Sequence, residues 1–381
     1  MAPGESPLAG LRVDHVGSLL RPEWLKQAFR DRAAGRASAD ELRQAQDRAV
    51  REVVARQEAI GLPVVTDGEY RRLNWQVSFS VVEGWDLEAA SWEAIRRFPD
   101  DLRPGEQPGR RGEDAVVAFR TPATAPLRLV RNVPLEEYRF TRAVATRPVK
   151  VTLMGPDRVA QMLDVEASRA VYPDLDRFLE DVVAVQRRMV EELVAAGCRY
   201  VQLDEPSYTG YVDPPTLARL RARGEDPARR LEQAIAADNR VVAGLAGATF
   251  GLHICRGNRA SLWHREGTYD AIAERLFNGL AFDRLLLEYD SERAGTFEPL
   301  RFVPRGRTVV LGLITTKSGR LETVDELRRR LEDAGRWVPL DQVALSPQCG
   351  FASGLGGNRL TEDEQWRKLE VMLETARRVW G

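Results

Sequence analysis

Two periodicities alternate along this chain. Short apolar runs rich in β-branched residues, each closing on small, polar or ionisable positions, occur at residues 13–18, 63–68, 149–155, 200–204, 249–255, 284–289, 308–315 and 342–346. Between them run longer charged segments whose apolar residues recur at the spacing of a helix face. A strand that is apolar at nearly every position must be covered on both faces, the situation of a parallel sheet under crossover helices. Eight such units in succession predict an α/β fold whose sheet closes on itself, a single (β/α)8 TIM barrel.

Local chemistry marks where the helices start and stop. Ser38-Ala39-Asp40-Glu41, Thr323-Val324-Asp325-Glu326 and Thr361-Glu362-Asp363-Glu364 each set a carboxylate three residues after a hydroxyl, a pair able to satisfy N–H groups that a first helical turn leaves unpaired. Asp226-Pro227 offers an N-cap followed by proline at the first helical position. Gly61, Gly197 and Gly335 stand where helices are expected to stop in the left-handed conformation.

Residues 71–147 interrupt this rhythm, separating the second and third strands by far more than the usual βα loop of about 2–6 residues. The middle, 103–112, is rich in Pro, Gly and Arg, and 134–144 reads as a short helix. The segment is expected to be an extended βα-loop insertion over the barrel mouth, within one domain spanning 1–381. A separate small domain is the alternative, and the segment has little apolar content with which to build one.

Composition narrows the classes of function. Of 381 residues, 56 are Lys or Arg and 57 Asp or Glu, a net charge of −1 that argues against a nucleic-acid footprint. The longest uncharged apolar stretch, 241–255, contains three glycines and is shorter than the ~18 residues of a membrane span. Residues 1–11 carry neither a basic region nor an apolar core of the kind found in export signals, so a cytoplasmic location is expected. Three cysteines, Cys198, Cys255 and Cys349, cannot form a disulfide framework and point instead to packing, metal ligation or nucleophilic chemistry.

In a barrel of this kind the working groups stand at the C-terminal ends of strands. Reading those ends in order gives Ser18, Asp67 with Glu69, Asp204 with Glu205, His253 with Cys255, Glu288, Lys317 and Cys349. His253 and Cys255 are two apart, so on a strand both project to one face while Ile254 turns away. With Glu288 and Cys349 they supply one nitrogen, two sulfurs and one carboxylate, ligand types that Zn2+ takes in near-tetrahedral sites. The alternative is a packed strand end with Glu288 in a salt bridge. Cys198 falls on the opposite rim and is expected in the core; His15 and His264 are expected to be structural.

Two thiolates and a carboxylate around Zn2+ sum to −1, which weakens Lewis acidity towards water. A substrate thiol bound there still loses its proton below its ordinary pKa of ~8.5 and stays nucleophilic. S-alkylation is therefore the expected chemistry, ahead of hydrolysis. Glu69 and Asp204 could hold an ammonium group while the Val16-Gly17-Ser18 backbone and the Ser18 hydroxyl receive a carboxylate, so an amino-acid thiol would suit the rim. A salt-bridged strand end is the alternative for Asp204-Glu205-Pro206. Gly354-Leu355-Gly356-Gly357 lacks the order of a dinucleotide fingerprint.

Together Val16-Gly17-Ser18, Asp67-Gly68-Glu69, Leu203-Asp204-Glu205-Pro206, His253-Ile254-Cys255, Leu287-Glu288 and Ser346-Pro347-Gln348-Cys349-Gly350 resemble the catalytic half of cobalamin-independent methionine synthase, over about 13–350. The resemblance implies a barrel with a thiol-activating zinc held by His253, Cys255, Glu288 and Cys349. It implies that Ser18, Glu69 and Asp204 bind the amino-acid part of homocysteine, with a methyl donor as the second small molecule. Three departures qualify it. The family's preceding barrel has no counterpart in this sequence; the family's pterin-stacking tryptophan is missing from the stretch from Met154-Gly155-Pro156-Asp157 to Met162; and Lys317, in Thr315-Thr316-Lys317-Ser318, replaces a histidine. Lys317 is the candidate catalytic acid, or a binder of a substrate anion. Single-barrel relatives include an epoxyalkane:coenzyme M transferase, so another thiol or an epoxide donor is the alternative. A metal-free barrel such as uroporphyrinogen decarboxylase, or a barrel with structural zinc only, is the different class.

Overall fold

The apolar runs form a six-stranded parallel sheet in the order β3 (Lys150–Met154), β4 (Tyr200–Asp204), β5 (Thr249–Ile254), β6 (Arg284–Glu288), β7 (Thr308–Ile314) and β8 (Val343–Pro347). The structure is a computed structural model that describes residues 8, 10–97, 101–112 and 120–381. Of the 1–11 stretch read for export signals, only residues 8, 10 and 11 are among them. Every residue of these six strands is buried, as expected of strands covered on both faces.

The first two predicted strands are reduced to single parallel bridges at the two edges of the sheet, Val13 to Leu345 of β8 and Val65 to Val149 beside β3. Side chains take the bonds a ladder would have used. Asp14 Oδ1 accepts the His15 N–H at 2.9 Å, Gln57 Oε1 accepts the Thr66 N–H at 3.0 Å, and Thr66 Oγ1 donates to the Gly17 carbonyl at 2.7 Å. Pro63 has no N–H to offer. The two segments meet through Leu19 N–H and the Gly68 carbonyl at 3.1 Å.

Helices α1 (Glu23–Ala33), α2 (Ala39–Ile60), α3 (Glu88–Arg97), α4 (Val133–Val144), α5 (Pro156–Ala160), α6 (Leu175–Ala195), α7 (Pro214–Ala222), α8 (Pro227–Val242), α9 (Ala273–Gly279), α10 (Val324–Ala334) and α11 (Glu362–Trp380) intervene. The capping boxes form at α2, α10 and α11, each contributing about 1 kcal/mol. Helix α6 starts on the Asp174 carboxylate and buries Phe178, Val182, Val185, Met189 and Leu193, a stripe at helical spacing. Gly61 and Gly197 are left-handed as expected, whereas Gly335 is right-handed at φ −59° because the chain after α10 continues as a further turn through Trp337.

The described part of 71–147 holds β1 (Val81–Glu83) antiparallel to β2 (Arg128–Arg131), with α3 between them and α4 after. The short helix expected at 134–144 is α4. Phe79, Trp85, Leu87, Ile95 and Leu135 of this segment join the same apolar core as the sheet and its helices. Among the described residues no helix is long and apolar enough to cross a membrane.

Candidate metal centre and the adjoining pocket

The end of β5 turns His253 and Cys255 to one side, and the chain leaving β8 brings Cys349 to them. One ligand atom from each lies within 4.8 Å of the other two, and all three residues are buried. His253 Nδ1 is 3.3 Å from the Leu286 carbonyl, which can only accept, so this nitrogen carries the proton. Nε2 is thereby left with its lone pair, buried and without a hydrogen-bond partner. A fixed tautomer with the free nitrogen facing two sulfurs is the usual arrangement of a metal-ligating histidine, and a donor set of two sulfurs and one nitrogen suits a thiophilic cation.

Electrostatics within the trio agree. The Cys349 thiol donates to Cys255, which pulls Cys255 well below the ordinary thiol range against the cost of burial, with His253 adding to the pull. The same shared proton, with burial, pushes Cys349 up. The Gly257 N–H donates to Cys255 Sγ at 3.4 Å. Burial works against a charged His253, but Cys255, Asp204 and Glu288 outweigh it and raise the imidazole pKa.

Glu288, at the end of β6, is buried beside the trio but outside its 4.8 Å grouping. Its Oε2 accepts the Arg256 N–H at 2.8 Å, and its Oε1 lies 3.4 Å from the Arg293 guanidinium. Burial opposes its charge, yet Lys317 and Arg256 prevail and hold its pKa below the ordinary value. Lys317 Nζ donates to the Gly257 carbonyl and to Asn258 Oδ1, both at 2.8 Å. Asn258 Nδ2 reaches the Gly350 carbonyl at 2.5 Å, so this one side chain ties the Cys255 turn, the Cys349 turn and Lys317 together.

A single cavity is lined by Ser18, Glu69, Asp204, His253, Cys255 and Cys349. Glu69 has φ +59°, in the left-handed region, held by its N–H on Asp67 Oδ1 at 2.9 Å and its carbonyl on Arg21 at 2.7 Å. Glu69 Oε1 accepts from Thr152 Oγ1 at 2.8 Å; Oε2 is buried and unpartnered. Burial pushes the Asp204 carboxyl up to about 7; His253 opposes this and Glu69 adds to it. Two crowded carboxylates facing one cavity favour a cation between them. Ser18 Oγ lies against Gly350, where a Cβ would sit 1.9 Å from it, so any side chain there would displace the Ser18 hydroxyl.

The rest of the expected chemistry sits elsewhere. Cys198 is buried, bonded to the Tyr200 carbonyl at 3.3 Å, and its thiol is pushed up to about 12 by burial. His15 is buried against the Val64 carbonyl, while His264 lines the cavity and bonds the Gly112 carbonyl at 3.2 Å. Sequence reasoning missed Gln202, Asn258, Trp75, Arg158 and Asp101. Gln202 left a signal, being a polar residue two before Asp204 in an apolar strand. Arg158 lies in the short helix α5 and the others in loops or short turns, whose approach to the cavity is set by tertiary packing.

A model of the family described as cobalamin-independent synthase, catalytic domain, matches residues 119–378. The chain is 38% identical over 384 residues to the uncharacterised protein YxjH of Bacillus subtilis, covering 98% of this chain and 95% of that one. It is 24% identical over 342 residues to methionine synthase of Pyrococcus abyssi, covering 88% and 85%. A Listeria monocytogenes protein solved as a candidate vitamin-B12 independent methionine synthase superposes with TM-score 0.72 at 28% identity, covering 97% and 98%. A B12-independent methionine synthase from Shewanella, solved with selenomethionine, has the same fold at TM-score 0.70 and 20% identity, covering 97% of each chain.

Proposed function

Because the chain belongs to the family of cobalamin-independent synthase catalytic domains, we propose that it is a zinc-dependent transferase that alkylates a thiol, with methyl transfer to homocysteine as its reaction. The observation that carries this reading is the unpartnered His253 Nε2 set among two buried cysteines, on the wall of the same cavity as Glu69 and Asp204. In this reading the two edge bridges close the sheet into an eight-stranded barrel, with 71–147 as an insertion over its mouth.

His253, Cys255 and Cys349 hold the ion, and Glu288 completes the donor set. Zinc, when bound, supplies the positive charge that lets a thiol lose its proton near neutral pH. Glu69 and Asp204 receive the ammonium of the amino-acid thiol, using the unpartnered Glu69 oxygen. The Ser18 hydroxyl and the backbone beside it receive the carboxylate. Fixing both poles aims the sulfur at the donor and replaces a bimolecular encounter by an oriented one. Lys317 commits two of its three N–H bonds to the protein and offers the third to the group that departs from the donor.

Zinc-edge X-ray absorption tests the proposal. Homocysteine is expected to add one sulfur neighbour to the metal, and coenzyme M is not. A response to coenzyme M alone selects transfer to that thiol, and no response to any thiol overturns thiol activation.

A further inference from the structure

We propose that Gln202 is a positioning residue that spans the two poles of the amino-acid pocket and sets which thiols the site accepts; this rests on the reading of Glu69 and Asp204 as the ammonium receptor. Gln202 is fully buried in β4, one strand pleat below Asp204. Its Nε2 donates twice, to Asp204 Oδ1 at 2.7 Å and to the Val16 carbonyl at 2.8 Å. One amide therefore grips the carboxylate at the ammonium pole and the backbone leading to Ser18 at the carboxylate pole.

The orientation of that amide is dictated from below. Lys150 Nζ donates to Gln202 Oε1 and to Asp14 Oδ1, each at 2.8 Å, and to the His15 carbonyl, which uses all three ammonium hydrogens. An ammonium can only donate, so the amide oxygen must face Lys150 and the NH2 must face Asp204 and Val16. The flipped amide would set N–H against ammonium and oxygen against both a carbonyl and a carboxylate. Asp14 is itself fixed by Tyr200 Oη at 2.6 Å and Arg284 Nε at 3.2 Å, so the strut has a rigid footing. With Oδ1 engaged by Gln202, Asp204 presents its other oxygen to the cavity. Both poles line one cavity, so a thiol that carries an ammonium and a carboxylate can engage the two together, and a thiol lacking the amine forfeits the Asp204 contact.

The test measures binding of homocysteine and of 4-mercaptobutyrate, which lacks the amine, to the metal-replete protein by calorimetry. The wild type is expected to favour homocysteine. Gln202→Met, and Gln202→Glu, which keeps the acceptor for Lys150 but loses the donor for Asp204, are expected to reduce that preference about tenfold or more, the scale of a hydrogen bond to a charged group. Metal content is expected to stay at the wild-type level. Equal binding of both thiols by the wild type refutes the ammonium receptor itself. A preference that survives in the variants, an equal loss for both thiols, or failure of both variants to fold assigns Gln202 to the scaffold and overturns the inference.

Discussion

Two sets of buried polar side chains are built on the sheet and the segments at its edges, a lower and an upper layer, and particular atoms of the two differ in how they are satisfied. In the lower layer Asp14, Lys150, Tyr200, Gln202 and Arg284 bond to one another, and both oxygens of the aspartate and all three hydrogens of the lysine are used. In the upper layer His253 Nε2 and Glu69 Oε2 are as deeply buried and have no partner. Leaving a buried polar group unpaired costs about 1–3 kcal/mol, a cost that a ligand bound in the adjoining cavity would offset for these two atoms. The lower layer is architecture. The upper one, in the proposed reading, receives the metal and the amino acid.

Replacing members of the two layers sharpens that contrast. The largest effect is expected from Cys349→Ala: metal measured by mass spectrometry should fall from one per chain to near zero, with activity lost by more than the ~10–100-fold that a supporting partner costs. Retention of full metal would remove Cys349 from the donor set. Next is Asp14→Asn in the lower layer, which leaves Lys150 and Arg284 facing a neutral group; urea melts should show a loss of about 3–5 kcal/mol. A loss below about 1 kcal/mol would mean the lower layer is not a rigid footing.

His15 stands beside the lower layer, its Nδ1 buried and unpartnered, and gives the fold a pH signature. Burial, then the charge of Lys150, lower its pKa to about 4, with Asp14 opposing, whereas the unfolded chain takes up that proton near the ordinary 6.5. The unfolded state therefore binds more protons between these values. Stability from this group is complete above 6.5 and falls by about 3 kcal/mol as pH drops to 4. His15→Gln should flatten that slope in urea melts compared across pH, and an unchanged slope would exclude a buried neutral imidazole. The smallest expected effect, about 1.5–3 kcal/mol, comes from Glu69→Gln in the upper layer. It should weaken homocysteine binding by calorimetry while shifting the melting temperature little; a large drop in stability with unchanged binding would place Glu69 in the architecture instead.

Much of this arrangement was legible because strand ends obey simple geometry. The six ladder strands fall within a residue of their expected limits, and the spacing of His253 and Cys255 put both on one face. The three capping boxes formed because their bonds are local. What could not be read depends on distant partners. Residues 13–18 and 63–68 have the apolar look of strands, yet Asp14, Gln57 and Thr66 redirect their backbone bonds. Lys150 and Arg284 were visible as charges within apolar strands, but their shared partner, Asp14, lies more than a hundred residues away. Trp75 and Asp101 reach the cavity only through the course of the 71–147 segment.

Arg21 bears on how such a protein diversifies. Its guanidinium clasps carbonyls of Glu69 and Arg72 on one side and Gly354 on the other, stitching the opening quarter of the chain to its closing turns. The proposed metal donors all come from 253–349, while the groups proposed to read the amino acid come from 18–204. On the proposed reading, exchanging the gene segment that encodes residues up to 204 while keeping this clasp would alter which sulfur compound is admitted and leave the metal donors unchanged.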